Sequence, residues 1–351
     1  MDLSVDQAGG RPDPEVWPRA VARNSPPTFY RGSGRIDLFR GTPASGSDHP
    51  EDWVASTVTR FGETSAGLSA LDTGGFLRDA IRADPIHWLG FAGGSSPELE
   101  VPLVKLLDAG QRLPVHAHPT DGCARELGVW PHGKAEAWFV IEAPASGVVH
   151  VGWTRDVTEA ELAEWVDSQD VAAMLGAMHV LNIAAGDSVY VPPGTVHAVG
   201  AGIFLVEVQQ PADLSILLEW QDFLADSSGA FLGVACAAAL GCVDRRGLPT
   251  ASVEELVERA ALDRPAGSRL LPAQSAEYFS ATLLGAGSTL PSEYRTLVVI
   301  SGGGRLRALD PGRPQLHEAP KGSTFAVPAA AGPLRLEGSN DLKVLAFGPR
   351  R

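Results

Sequence analysis

The stretch GQRLPVHAHPTDGCARELGVWPHGKAEAW, residues 110–138, constrains this chain more than any other. It sets His116 and His118 two residues apart, so in an extended strand both imidazoles point to one side while Leu113, Val115 and Ala117 point to the other. Further on, Glu136 opens the apolar run Ala137-Trp138-Phe139-Val140-Ile141, which reads as a second strand, and Lys134 shares the face of Glu136 by the same alternation. The segment GDSVYVPPGTVH is a strand and a Pro-Pro-Gly turn that ends on a third imidazole, His197. Three imidazole nitrogens and one carboxylate oxygen are a donor set for one divalent transition metal, with positions left for water or substrate oxygens.

A lone His-x-His is a weak sign, and the joint spacing is the stronger one. Gly110 precedes His-x-His, and Gly186 precedes Pro-x-Gly-x-x-His, each by a five-residue interval. Each glycine sits where a tight turn calls for positive φ, and Pro192 and Gly194 re-aim the chain just before His197. Together these segments resemble the two halves of the cupin metal signature, which implies a small double-layered barrel of the jelly-roll type.

With 351 residues the chain can form two domains or one double-barrel unit. The net charge of −14 argues against nucleic acid and anionic membranes, both of which want clustered Lys and Arg. A single basic pocket for an anionic small molecule stays compatible with that balance. Cys123, Cys236 and Cys242 form no paired motif, which suggests buried thiols and a reducing compartment. The polar, Pro-rich N-terminus has no basic-then-apolar leader, and no apolar run is long enough to span a bilayer, so the cytoplasm is expected.

Along the chain, residues 1–27 read as a loose tail and 28–215 as the metal-binding barrel, with Ile36 and Leu38 suggesting an edge strand. Within that barrel, 154–179 changes to helical spacing, with Thr158 and Glu161 set as a capping box. Residues 216–265, rich in Ala and Leu, read as helical. From 266 to 351 the pattern is β again and looks like a degenerate repeat. There, KGSTFAVPAAAGPLRLEG lines up with AGDSVYVPPGTVHAVGAG, and Pro333 falls where the first copy has His197. The counterpart of His-x-His, near Ser292 to Arg295, holds no imidazole. The expected fold is therefore mainly β, a double cupin with two jelly-roll barrels and a helical insertion, in which only the first barrel holds metal.

The segments VPLVKLLDAGQRLPVHAHP, HGKAEAWFVIEA, AAGDSVYVPPGTVHAVGAG and VEVQQPAD resemble the class I mannose-6-phosphate isomerases. The resemblance runs from about Phe29 into the C-terminal barrel. It implies aldose–ketose isomerisation through a cis-enediolate, with a small-molecule sugar or sugar phosphate as partner. It also implies a zinc ion on His116, His118, Glu136 and His197. It places Lys134 beside the metal carboxylate as a candidate base, Asp213 as a group that orients a hydroxyl or water, and Trp53, Ser56 and Gln209 near the substrate. A monomer or homodimer is expected.

Two departures stand out. The family usually has Gln where this chain has His116, so Fe, Ni, Co or Mn suit the donors as well as zinc. It has an active-site arginine where this chain has Leu217, and a leucine can neither neutralise phosphate nor stabilise an enediolate. Arg112 or Arg125 could substitute. Isomerisation of an unphosphorylated sugar, a cupin dioxygenase and a non-catalytic sugar-binding cupin stay open as alternatives.

Overall fold

The structure, a computed structural model, describes residues 17–310 and 316–350. Four antiparallel sheets form two barrels. In the first barrel a six-stranded sheet runs, in spatial order, Val257–Glu258, Ser188–Val191, Glu136–Glu142, Ile203–Gln209, Leu103–Ala109 and Glu51–Val54. Its partner sheet runs Ile216–Leu217, His116–Ala117, His197–Val199, Val148–Trp153 and Met178–Asn182. The second barrel pairs Arg19–Ala20, Thr324–Val327, Arg295–Ser301, Lys343–Pro349 and Phe279–Leu284 with a smaller sheet of Thr289–Leu290, Leu334–Gly338, Gly303–Ala308 and Leu316–Pro320.

Strand alternation separates two jobs in the large sheet of the first barrel. Ala137 and Phe139, with Val206 and Val208 opposite them, point out of the barrel. There they join one apolar cluster that continues into Val298, Leu345 and Phe347 of the second barrel, with the Phe139 and Phe347 rings 5.5 Å apart. The alternate positions face inward. Across neighbouring strands they place Trp53 beside Lys105, Lys105 beside Glu207, and Glu207 beside Trp138. The second barrel closes around its own apolar interior, including Leu297, Phe325, Leu306 and Leu336.

Several local expectations are corrected. Of the loose tail expected over 1–27, residues 1–16 lie outside the described residues. Arg19–Ala20 is a strand against Phe325 and Ala326, so the chain enters through the second barrel before building the first. Arg35–Arg40 is a helix and not an edge strand. Gly34 and Gly41, both at positive φ, bracket it, and Ile36 and Phe39 share its buried face while Leu38 is 84% exposed. Segment 216–265 is largely irregular, with five-residue helices at Cys236–Leu240 and Thr250–Glu254. The left-handed pair Leu232 and Gly233 interrupts any longer helix there. The insertion carries helices Glu159–Ser168 and Val171–Gly176, and the Thr158 hydroxyl caps the first by accepting from the Glu161 N–H at 3.2 Å.

Gly186 and Gly194 have φ of 94° and 86°, as their turns require. Gly110 does not take positive φ; a Cβ there would sit 2.4 Å from the Gly32 carbonyl carbon, so close backbone approach is the reason for glycine. The expectation for cysteine is also corrected. Cys123 and Cys242 form a disulfide, and Cys236 is exposed. The fold brings the first two together through the Pro-Pro-Gly turn. The Gly194 N–H donates to the His118 carbonyl at 2.6 Å and its carbonyl accepts from Asp244 at 2.9 Å, which leaves the two cysteine Cα atoms 5.7 Å apart. Among the described residues no helix is long and apolar enough to cross a membrane.

Candidate metal centre and its cavity

His116 and His197 lie directly opposite one another on adjacent strands, and His118 follows just past the end of the first. The three ring centroids are 4.0 to 5.0 Å apart. Among the described residues these three are the group of potential ligands whose donor atoms all lie within 4.8 Å of one another. Val115 and Ala117, on the opposite face, pack into the apolar cluster beneath the insertion helices.

Each imidazole is oriented by a backbone carbonyl. Nδ1 of His116, His118 and His197 lies 2.8, 2.6 and 2.9 Å from the carbonyl oxygens of Pro114, Leu214 and Thr195. A carbonyl oxygen can only accept, so Nδ1 carries the proton and each Nε2 presents a lone pair inward. Glu136 meets those lone pairs. Its Oε2 is 2.9 Å from His118 Nε2 and its Oε1 is 3.1 Å from His197 Nε2. Lone pairs on a carboxylate and on neutral imidazoles repel unless a cation lies among them, and His197 Nε2 is a buried atom with no hydrogen-bond donor. This arrangement fits a divalent metal on His116, His118, His197 and Glu136. Trp138 holds the carboxylate from behind, its indole N–H donating to Oε1 at 3.0 Å.

Protonation agrees with the geometry. Burial, then the neighbouring His197 and His118, holds the His116 imidazole well below its ordinary range. Burial, then the Lys134 ammonium, brings His118 down to about 3. Burial opposes ionisation of Glu136, yet Lys134, His118 and His197 outweigh it and keep its carboxyl well below the usual range. His116, His118 and Glu136 are thus free of acidic protons at neutral pH, as metal ligation needs.

Lys134, the candidate base, is buried with Nζ 2.7 Å from Glu136 Oε2 and 2.9 Å from His118 Nε2. It and His116 line a cavity of about 60 Å³ together with Tyr30, Glu51, Trp53, Arg60, Lys105, Glu207 and Asp213, among others. Trp53 forms wall and not an open stacking face. Its indole N–H donates to Glu51 at 2.7 Å and the Lys105 ammonium lies 4.7 Å from its ring. Asp213 accepts the Phe61 N–H at 3.0 Å, which ties loop 60–67 to the cavity rim. Three expected substrate residues are held by partners within the protein, and of these Gln209 stays beside the metal carboxylate. Ser56 is fully buried and donates to the Val58 carbonyl. Arg112 grips Glu219 with two nitrogens at 2.6 and 2.5 Å. Gln209 faces inward beside Glu136 but donates to the Ala212 carbonyl.

The residues missed from sequence are Tyr30, Glu51, Arg60, Lys105 and Glu207. Lys105 lies 3.4 Å from Glu51 and 3.8 Å from Glu207, and Lys134 is 3.9 Å from Glu207. Burial, then the charge of Glu136, pushes the Glu207 carboxyl up to about 7 against the pull of Lys134 and Lys105. Tyr30 donates to Glu51 at 2.6 Å. Lys105 and Glu207 carried a usable signal, because each is a charge flanked on both sides by apolar residues within a buried strand, LVKLL and LVEV. Such a charge is expensive to bury unless it serves a site.

No family model matches the chain. Over 150 residues it is 33% identical to a probable mannose-6-phosphate isomerase of Bacillus subtilis, a match that covers 42% of this chain and 45% of that protein. The chain spans less than half the length of the curated relatives it matches in sequence. The likeness in fold extends over the whole chain. The crystal structure of a mannose 6-phosphate isomerase from Bacillus subtilis superposes with a TM-score of 0.72, 21% identity, and coverage of 94% of this chain and 99% of that one. A mannose 6-phosphate isomerase bound with zinc and yttrium superposes with a TM-score of 0.67 and 13% identity, over 95% and 100% of the two chains. Those proteins share the two-barrel fold of this chain, and the resemblance in sequence holds over its matched part.

Proposed function

We propose that this chain is a metal-dependent aldose–ketose isomerase that interconverts mannose 6-phosphate and fructose 6-phosphate. One observation carries the reading. Three backbone-tethered imidazoles and Glu136 converge where the buried cation Lys134 and the near-neutral carboxyl Glu207 reach the same cavity. Isomerisation moves one proton from C2 to C1 of the sugar and must hold an oxyanion between the two steps. His116, His118, His197 and Glu136 would hold a divalent ion, which we assign as zinc with Fe, Ni, Co or Mn acceptable to the same donors, and it would supply Lewis acidity toward the sugar oxygens.

The other steps belong to the chain. The Glu207 carboxylate takes the proton from C2 and returns it to C1, and the Lys134 ammonium, 3.9 Å from it, donates a hydrogen bond to the sugar oxygen on which negative charge develops. Lys105, raised by Glu51 and Glu207 above its ordinary range against the opposing effect of burial, stays charged and holds those carboxylates in place. Asp213, on the rim, orients a sugar hydroxyl or water and anchors the Phe61 loop. Trp53 and Tyr30 exclude water from that wall.

The test is turnover of mannose 6-phosphate by metal-loaded protein without oxygen. Ketose product is expected, and Lys134→Met should cut kcat about 10²–10⁴-fold while metal content stays at one ion per chain. Oxygen uptake without ketose would make the chain a dioxygenase, and sugar binding without turnover would make it a sensor. Full activity in Lys134→Met would remove Lys134 from that role.

A further inference from the structure

We propose that Arg60 reads the charge of the substrate, its guanidinium taking the phosphate of a sugar phosphate at the mouth of the metal cavity. The inference rests on the isomerase reading and adds what selects its substrate class. Three cationic side chains line this cavity: Lys105, Lys134 and Arg60. Lys105 is committed to Glu51 and Glu207, and Lys134 to Glu136. Arg60 has no carboxylate within salt-bridge distance among the described residues, and it is half-buried. A planar guanidinium with unspent donors on a cavity wall suits a phosphate, which it can meet with two parallel hydrogen bonds.

The positions that could have done this work are closed. Leu217, where the resembling family has arginine, is 2% exposed and paired against His116 within an apolar cluster. Arg112 is held on Glu219, and Arg125 donates to the Pro131 carbonyl and lines a different cavity. Arg60 arrives from another element, the loop after the Trp53 strand. That loop is fixed at both ends and not loosely draped. Arg60 N–H donates to the Ala66 carbonyl at 2.8 Å, Phe61 N–H to Asp213 at 3.0 Å, and the Asn24 amide to the Gly67 carbonyl at 2.7 Å. A Cβ on Gly67 would come within 2.6 Å of the Trp53 ring, so the loop lies directly on the cavity wall. With the acids Glu51 and Glu207 beside Lys105 and Lys134, an anionic group is accepted at Arg60, which leaves the carbonyl end of the sugar toward His116 and Lys134.

The test uses full-length, metal-loaded Arg60→Ala and Arg60→Lys with mannose 6-phosphate and mannose, plus calorimetric binding of inorganic phosphate. In Arg60→Ala the ratio of kcat/KM for the phosphorylated over the plain sugar should fall about 10–100-fold, mostly through KM, and Arg60→Lys should recover part of it. Phosphate binding should weaken about tenfold or more while metal content stays at one ion per chain. An unchanged ratio in Arg60→Ala, or phosphate bound equally by parent and variant, would overturn the assignment. The binding arm needs no turnover, so it reads Arg60 even if the isomerase reading fails. A chain that isomerises sugars but ignores Arg60 would fail this proposal alone.

Discussion

The two barrels share a backbone idea and differ in what fills it. Each has a glycine at positive φ, Gly186 in one and Gly322 in the other, leading into a strand that ends in Val-Pro, Ser188–Val191 and Thr324–Val327. In the first barrel the inward row of the large sheet is Trp53, Lys105, Glu207 and Trp138, with Glu136 and the imidazoles at one end. In the second, the inward Leu297 sits between Phe325 and Ala346 and belongs to a wholly apolar cluster. The same scaffold therefore carries either a site or a plug. What separates them is whether charges at inward positions find partners across the sheet. A charge without one would cost more than the barrel could bear.

Three experiments can break or sharpen that contrast. His118→Ala removes a proposed ligand held by the Leu214 carbonyl, so metal analysis should find no stoichiometric ion and turnover should fall by roughly 10³-fold or more. An ion retained at one per chain would dissolve the distinction between the barrels. Phe325→Ala, in the second barrel, should do the opposite. It should cost about 3–5 kcal/mol in denaturant unfolding and leave metal content at one per chain. Metal loss there would show that the plug also sets ligand geometry.

The third and smallest effect is a pH slope. In the metal-free protein the folded state keeps the Glu207 proton up to about pH 7, while the unfolded chain releases it near the ordinary glutamate value. The part of stability that Glu207 contributes should therefore fall as pH rises through that window, by up to about 1.4 kcal/mol per pH unit, against the opposite contribution of the lowered imidazoles of His116 and His118. Glu207→Gln should remove that contribution, so the difference in unfolding free energy between parent and variant should shrink as pH rises. A difference between parent and variant that stays constant with pH would mean that the carboxylate is better paired than its position between Lys105 and Lys134 suggests.

Legibility in the sequence followed distance along the chain. The His116/His118 pair and the Pro-Pro-Gly turn before His197 were readable because strand alternation and turn chemistry act over a few residues. That Pro333 and the stretch Ser292 to Arg295 hold no imidazole in the second copy was readable from the same short-range alignment. Ser56 and Arg112 were misplaced because their partnerships, Ser69 with Ser56 and Glu219 with Arg112, depend on chain brought in from elsewhere. The Arg35–Arg40 helix was misread because Ile36 and Leu38 alternate like a strand, and only the burial of Phe39 beside Ile36 reveals the helical face.

By itself the sequence determined the His and Glu spacing of the candidate metal centre and the double-barrel plan, since each follows from side-chain chemistry and short-range periodicity. Tertiary structure alone decided that Lys105 meets Glu207, that Cys123 reaches Cys242 and that Arg60 comes to the metal cavity. Those pairings rest on strand register and loop closure between segments far apart in the chain, where no local pattern holds the information.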